Sequence, residues 1–128
     1  MRSESAVTNK ECAQELEART RRFAVRIIYL SSKLPHTPEG KAVRDQITRS
    51  GTSIGANYRE ANRARSRADF RNKIGICCSE ASETRYWLEI LGEIEWLSQE
   101  EIRWEYEECG ELLAIFDSIG KGLTRESS

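Results

Sequence analysis

Apolar residues recur along this chain at three- and four-residue steps in four successive blocks, the period of amphipathic helices. In the first block Leu16, Thr20, Phe23, Ile27, Leu30 and Leu34 hold one register, which predicts a helix over about 10–33. Arg19, Arg21, Arg22 and Arg26 crowd its middle and read as the solvated side, which does not by itself define a binding site. A short connection, Leu34-Pro35-His36-Thr37-Pro38-Glu39, follows. Thr37 fits an N-cap, with Pro38 at the first helical position and Glu39 where the helix dipole favours negative charge.

The second block predicts a helix over about 38–65. Val43, Ile47, Ile54, Tyr58 and Ala61 form its apolar stripe, and Gln46, Ser50, Ser53, Asn57 and Glu60 form a polar stripe beside it. That second stripe fits either a solvated flank or a polar ladder between helices in which every member finds a partner. Gly51 and Gly55 each cost roughly 1 kcal/mol against alanine inside a helix. The unbroken apolar register across both predicts a continuous helix that another backbone approaches closely.

Ser66, with Asp69 three residues on, opens a third helix over about 67–97. Phe70, Ile74, Cys78, Ala81, Leu88, Leu91 and Ile94 follow its period, flanked by Ile76, Cys77, Trp87 and Ile90. This band is wider than one bundle face needs, which predicts burial against a second subunit. The last helix, about 99–120, starts from a Ser98/Glu101 capping box. Its apolar stripe is Ile102, Tyr106, Cys109, Leu113, Phe116 and Ile119, with Leu112 and Ile115 alongside. Gly120 and Gly122 are expected to stop it, leaving Leu123–Ser128 frayed. The fold class is therefore all-α, an antiparallel up-and-down four-helix bundle in one domain, 1–128.

If the second and third helices are antiparallel about residue 67, facing positions sum to about 134. Ser50 then meets Thr84 and Glu83, Ser53 meets Ala81 and Glu80, and Asn57 meets Cys77. The polar ladder thus comprises Gln46, Ser50, Ser53, Asn57, Glu60, Glu80, Glu83 and Thr84, with the glutamates accepting bonds from Ser, Asn, Tyr or Arg side chains.

Charge changes the picture more than composition does. Residues 1–73 carry net +8 and residues 74–128 net −9. Either helices or subunits neutralise one another, or a basic patch is kept for phosphates. The turn after the second helix concentrates the question: Arg59, Arg63, Arg65, Arg67, Arg71 and Lys73 stand against Glu60 and Asp69, a local +4. Arginine suits bidentate contact with phosphate, and equally with the acidic fourth helix of a neighbouring subunit. No aromatic residue is interleaved from Arg59 to Arg67, so stacking on single strands has little support.

Other chemistry is sparse. Apolar content of 38% and charged content of 32% fit a soluble helical protein. No window approaches 18 apolar residues, and the start, MRSESAVTNKECAQE, has no signal-like run, so no membrane is expected and the cytoplasm is. Cys12, Cys77, Cys78 and Cys109 form no CxxC pair and read as reduced, small buried hydrophobes. His36 alone cannot supply a di-iron Glu-x-x-His pattern or a catalytic pair, so no cofactor, metal site or enzyme is expected.

SGTSIGANYREA (50–61), ADF (68–70) and SEASETRYWL (79–88) resemble the signature of a bacterial four-helix-bundle family encoded by intervening sequences in 23S ribosomal RNA genes. The resemblance spans roughly 23–97. It implies a homopentamer of up-and-down bundles whose biochemical role is largely undefined. A related branch, the accessory variability proteins of diversity-generating retroelements, is basic and binds a reverse transcriptase and nucleic acid. This slightly acidic chain is nearer the intervening-sequence branch. The leading expectation is a non-enzymatic oligomeric scaffold whose basic end contacts RNA or a nucleic-acid-processing protein. The alternative is a small-molecule or metal-binding bundle using Ser53, Asn57, Glu60, Glu80 and Glu83.

Overall fold

The computed structural model describes the backbone of residues 2–127 and the side chains of residues 10–124. It consists of α1 (Arg2–Ser31), α2 (Pro38–Ala61), α3 (Arg67–Glu93) and α4 (Gln99–Ser127), with no strand among the described residues. Successive helices pack as antiparallel neighbours, and α4 closes back on α1. The result is an all-α, up-and-down four-helix bundle. Phe23, Ile27, Ile47, Ile54, Ile74, Leu88, Leu91, Leu112 and Phe116 fill its centre, all but excluded from solvent. Among the described residues no helix is long and apolar enough to cross a membrane.

The helix starts follow the caps read from sequence. Thr37 Oγ1 accepts from the Gly40 amide at 3.0 Å, and Ser66 Oγ accepts from the Asp69 amide at 3.0 Å. Ser98 and Glu101 form a reciprocal box, with bonds of 2.9 and 3.1 Å. Glu101 is held below the usual carboxylate range, chiefly by the Ser98 amide.

The helix ends depart from the sequence reading. α1 begins at Arg2 rather than near residue 10 and ends at Ser31, ahead of Pro35. α2 ends at Ala61, not 65, because Asn62 caps it, and Arg63 and Ala64 donate to the carbonyls three residues back. α3 ends at Glu93, not 97; Glu95 takes φ 58°, a left-handed turn residue that reverses the chain. α4 runs through Gly120 and Gly122 to Ser127. A glycine stops a helix when it enters the left-handed region, and no glycine here has positive φ. Leu123, packed against the core, gives the extra turn a reason to stay helical.

Two stripes also shift by one position. Cys77 is buried in place of Cys78, and Leu112 in place of Leu113. Among the cysteines, Cys77 and Cys109 are the buried hydrophobes; Cys78 is half-buried and Cys12 exposed, and all four are free thiols.

Gly51 and Gly55 mark where α1 and α2 come closest. A Cβ on Gly51 would sit 2.8 Å from Ile27 Cγ2, and one on Gly55 2.8 Å from Thr20 Oγ1 and 3.3 Å from the Thr20 carbonyl carbon. Gly75, by contrast, has nothing within 4 Å of that position. Gly51→Ala should therefore destabilise the fold: forcing a methyl against the β-branched, buried Ile27 costs about 1–3 kcal/mol, against roughly 1 kcal/mol gained in helix propensity. Gly75→Ala should stabilise it by up to about 1 kcal/mol. Thermal and urea melts of both variants check the pair, and a Gly51→Ala protein as stable as the Gly75→Ala protein contradicts the close approach.

Burial pushes the Cys77 and Cys109 thiols up to about 12, and their sulfurs lie 3.5 and 3.2 Å from the Ile54 and Ala81 carbonyl oxygens. The folded protein at pH 8 should thus present Cys12 as its fast-reacting thiol toward a disulfide reagent. Cys77 and Cys109 should react only on unfolding, and mass mapping of the labelled residues reads the order.

Candidate nucleic-acid interface

The basic cluster sits at the end of the bundle where α2 hands over to α3. Asn62 Nδ2 donates to Glu17 Oε2 at 2.8 Å, tying the end of α2 to α1. The Ser66 cap fixes the start of α3 a few residues later. Between these two anchors Arg63 and Arg65 lie in the loop, exposed. Arg59 stands on the last turn of α2, Arg67 and Arg71 on the first turns of α3, all exposed, with Lys73 half-buried. The structure therefore brings all six basic residues to one end, on two helices and their short connection. Glu60 and Asp69 are exposed beside them.

The polar stripe resolves into parts with different fates. Ser50 and Thr84 are fully buried, and the Thr84 hydroxyl donates to Ser50 Oγ at 2.8 Å, at the facing register read from sequence. Leaving either hydroxyl without its partner would cost about 1–3 kcal/mol. Ser53 and Asn57 turn back to their own helix, donating to the Arg49 and Ser53 carbonyls. Gln46 and Glu60 are exposed. Of the α2 members of the ladder only Ser50 bonds across to α3, because Ser53 and Asn57 lie far enough round α2 to reach carbonyls of their own helix.

Glu80 and Glu83 are gathered by a residue that sequence reasoning passed over. Arg49 Nη1 donates to Glu80 Oε2 at 3.0 Å, and Arg49 Nη2 donates to Glu83 Oε2. Trp87 Nε1 adds a bond to Glu83 at 3.1 Å. The Arg49 guanidinium accordingly holds the Glu83 carboxyl below its usual range, and Glu83 raises Arg49 in turn. The signal was present: the facing sum of about 134 puts position 49 among the glutamates of α3. Of the residues of the alternative site, Ser53 and Asn57 spend a donor on α2 carbonyls, Glu80 and Glu83 accept from Arg49, and Glu60 is exposed. Among the described residues no three His, Cys, Asp or Glu side chains gather as a metal site.

Two arginines of the basic half meet glutamates of the acidic half along the α1–α4 seam. Arg19 Nε and Nη2 donate to the two oxygens of Glu108 at 2.7 and 2.8 Å, and Arg19 also lies 3.4 Å from Glu111. Glu108 raises the Arg19 guanidinium further. Arg26 donates to the buried Glu105 at 3.2 Å while its guanidinium lies 4.5 Å above the Trp104 ring. Arg19 and Arg26 are thus seam residues rather than a wet side; Arg21 and Arg22 remain exposed. His36 is exposed in the first connection.

The exposed apolar surface lies partly at α3, where the wide apolar band was read, and partly on α1. All but one of the apolar stripe residues of α2 are buried. The exposed large apolar residues are Val25, Ile28 and Tyr29 on α1, Tyr86 on α3, Ile94 just after it, and Trp104 on α4.

Comparison with known proteins agrees with this architecture. A crystal structure of a protein of unknown function from the S23 ribosomal protein family of Bacteroides thetaiotaomicron is 43% identical to this chain. It superposes with a TM-score of 0.77, over 82% of this chain and 97% of that one. No functionally curated protein matches. The profile of the 23S rRNA-intervening sequence proteins matches residues 14–118, nearly the whole bundle, and the chain belongs to that family.

Proposed function

We propose that this protein is a non-enzymatic, cytoplasmic scaffold that assembles from several copies of itself and contacts RNA, or an RNA-processing protein, through the α2–α3 end. Five copies is the number that the sequence resemblance implies. The observation that carries the reading is the allocation of charge. Acidic residues of α4 are engaged by Arg19 and Arg26, and those of α3 by Arg49, all within one chain. Arg59, Arg63 and Arg65 stand outside that seam, exposed on the last turn of α2 and in the short loop that follows it.

Physical chemistry adds a second support. Arg63 and Arg65 lie in the loop just ahead of α3, beside the positive end of its helix dipole. Such a concentration of like charge is relieved by a polyanion. In a closed assembly the same end of every bundle would contribute, multiplying weak contacts by proximity. The neighbour's assignment to a ribosomal protein family points to RNA as the polyanion.

Fluorescence anisotropy with a labelled RNA tests this. Binding is expected at about 50 mM salt, falling steeply as salt rises. Replacing Arg63, Arg65 and Arg67 by glutamate should weaken it more than tenfold and flatten the logarithmic salt dependence by about 2, three phosphate contacts at roughly 0.7 each for a single strand. Absence of binding at about 50 mM salt, or binding indifferent to the three changes, overturns the proposal.

A further inference from the structure

We propose that copies of this chain join head to tail, the outer face of α1 in one copy against the outer face of α3 in the next. This rests on the assembly reading above and names the surfaces that would make it. Val25, Ile28 and Tyr29 expose 46, 49 and 67% of their surface on the side of α1 facing away from the core. The outer side of α3 carries Tyr86, 53% exposed, and half-buried Ile90, and Ile94 follows at 44%. Each is a contiguous apolar patch on an otherwise charged molecule.

The flanks of the two patches have opposite charge. Arg21, Arg22 and Lys33, all exposed, border the α1 patch. Glu83, Glu89 and Glu93 border the α3 patch, with Glu83 held in place by Arg49. Pairing α1 with α1 would bring arginine against arginine; pairing α1 with α3 brings it against glutamate.

Register supports the same match. In an up-and-down bundle the first and third helices run in the same direction. Both patches lie toward the end that holds the 32–37 and 94–98 connections, so they stand at one height. Placed side by side in parallel, the faces align at a constant offset of 61 residues. Arg22 then meets Glu83, Val25 meets Tyr86 and Tyr29 meets Ile90. At the same offset Lys33 falls on Ile94, next to Glu93, and Ile28 falls on Glu89, so the apolar match rests on Val25 and Tyr29. Ser82, a small exposed residue of α3, falls opposite Arg21 and leaves room for its stem. An interface joining two different faces is heterologous, and repeats until the ring or chain of copies ends.

Two double variants test the pairing, both confined to exposed positions so that helix content, read by circular dichroism, is preserved. Val25→Asp with Tyr29→Asp spoils the α1 face, and Tyr86→Asp with Ile94→Asp spoils the α3 face. In sedimentation velocity the wild type should be an oligomer and each double variant a monomer. An equimolar mixture should then form a one-to-one dimer, since each variant keeps one good face. The mixture is run at about a hundredfold higher concentration, because one interface lacks the avidity of a closed set. If the wild type assembles but either variant also does, or the mixture stays monomeric, the α1–α3 pairing is wrong and the assembly reading survives. A monomeric wild type overturns both.

Discussion

Glu105 and Glu108 sit on the inner side of α4 with little of their surface in water, and a buried carboxylate without a counterion costs several kcal/mol. The bundle accommodates them because Arg26 and Arg19 arrive from α1 with their stems packed along the seam and their guanidinium groups on the carboxylates. Arg19 meets Glu108 with two parallel bonds, the arrangement in which arginine is strongest. Such a seam differs from the glycine-lined contact of α1 with α2, where bare backbone lets the helices approach. One side of α1 is therefore fixed by shape and the other by charge.

This division governs what remains on the surface. With α1 locked on both flanks, its third side cannot turn inward, so Val25, Ile28 and Tyr29 stay in solvent unless another molecule covers them. Arg19 and Arg26 are committed to the seam, and exposed basic residues remain on the outer side of α1 and at the α2–α3 end. The exposed apolar side chains of α1 and the basic α2–α3 end thus occupy different heights of the same bundle.

Much of this was legible in the residues. Caps at Thr37, Ser66 and Ser98 gave three helix starts, because a side-chain oxygen satisfying an amide is a local interaction. Gly51 and Gly55 announced the close approach, since a break in the helix near Gly51, the other way to account for them, would interrupt the apolar register. The facing of Ser50 and Thr84 followed from a short turn and antiparallel geometry. The α1–α4 seam did not show itself: Arg19 and Glu108 are 89 positions apart, and helical period cannot tell an arginine in water from one bridging to a distant helix. Arg49 was readable from the same facing rule that found Ser50, but it lay outside the polar stripe. The end of α4 was misjudged because glycine marks a stop only where the chain must turn, and Leu123 still had a core to pack against.

The distance in sequence between the two sides of that seam bears on how the protein is made. A chain grows from its N-terminus, so α1 leaves the ribosome first and the helix carrying its counter-charges leaves last. Contacts of α2 with α1 and α3 are local and can form early, whereas closing the first helix onto the fourth waits until α4 has been made. Until then Arg19 and Arg26 lack their carboxylate partners, Glu108 and Glu105, which lie 89 and 79 positions further along the chain.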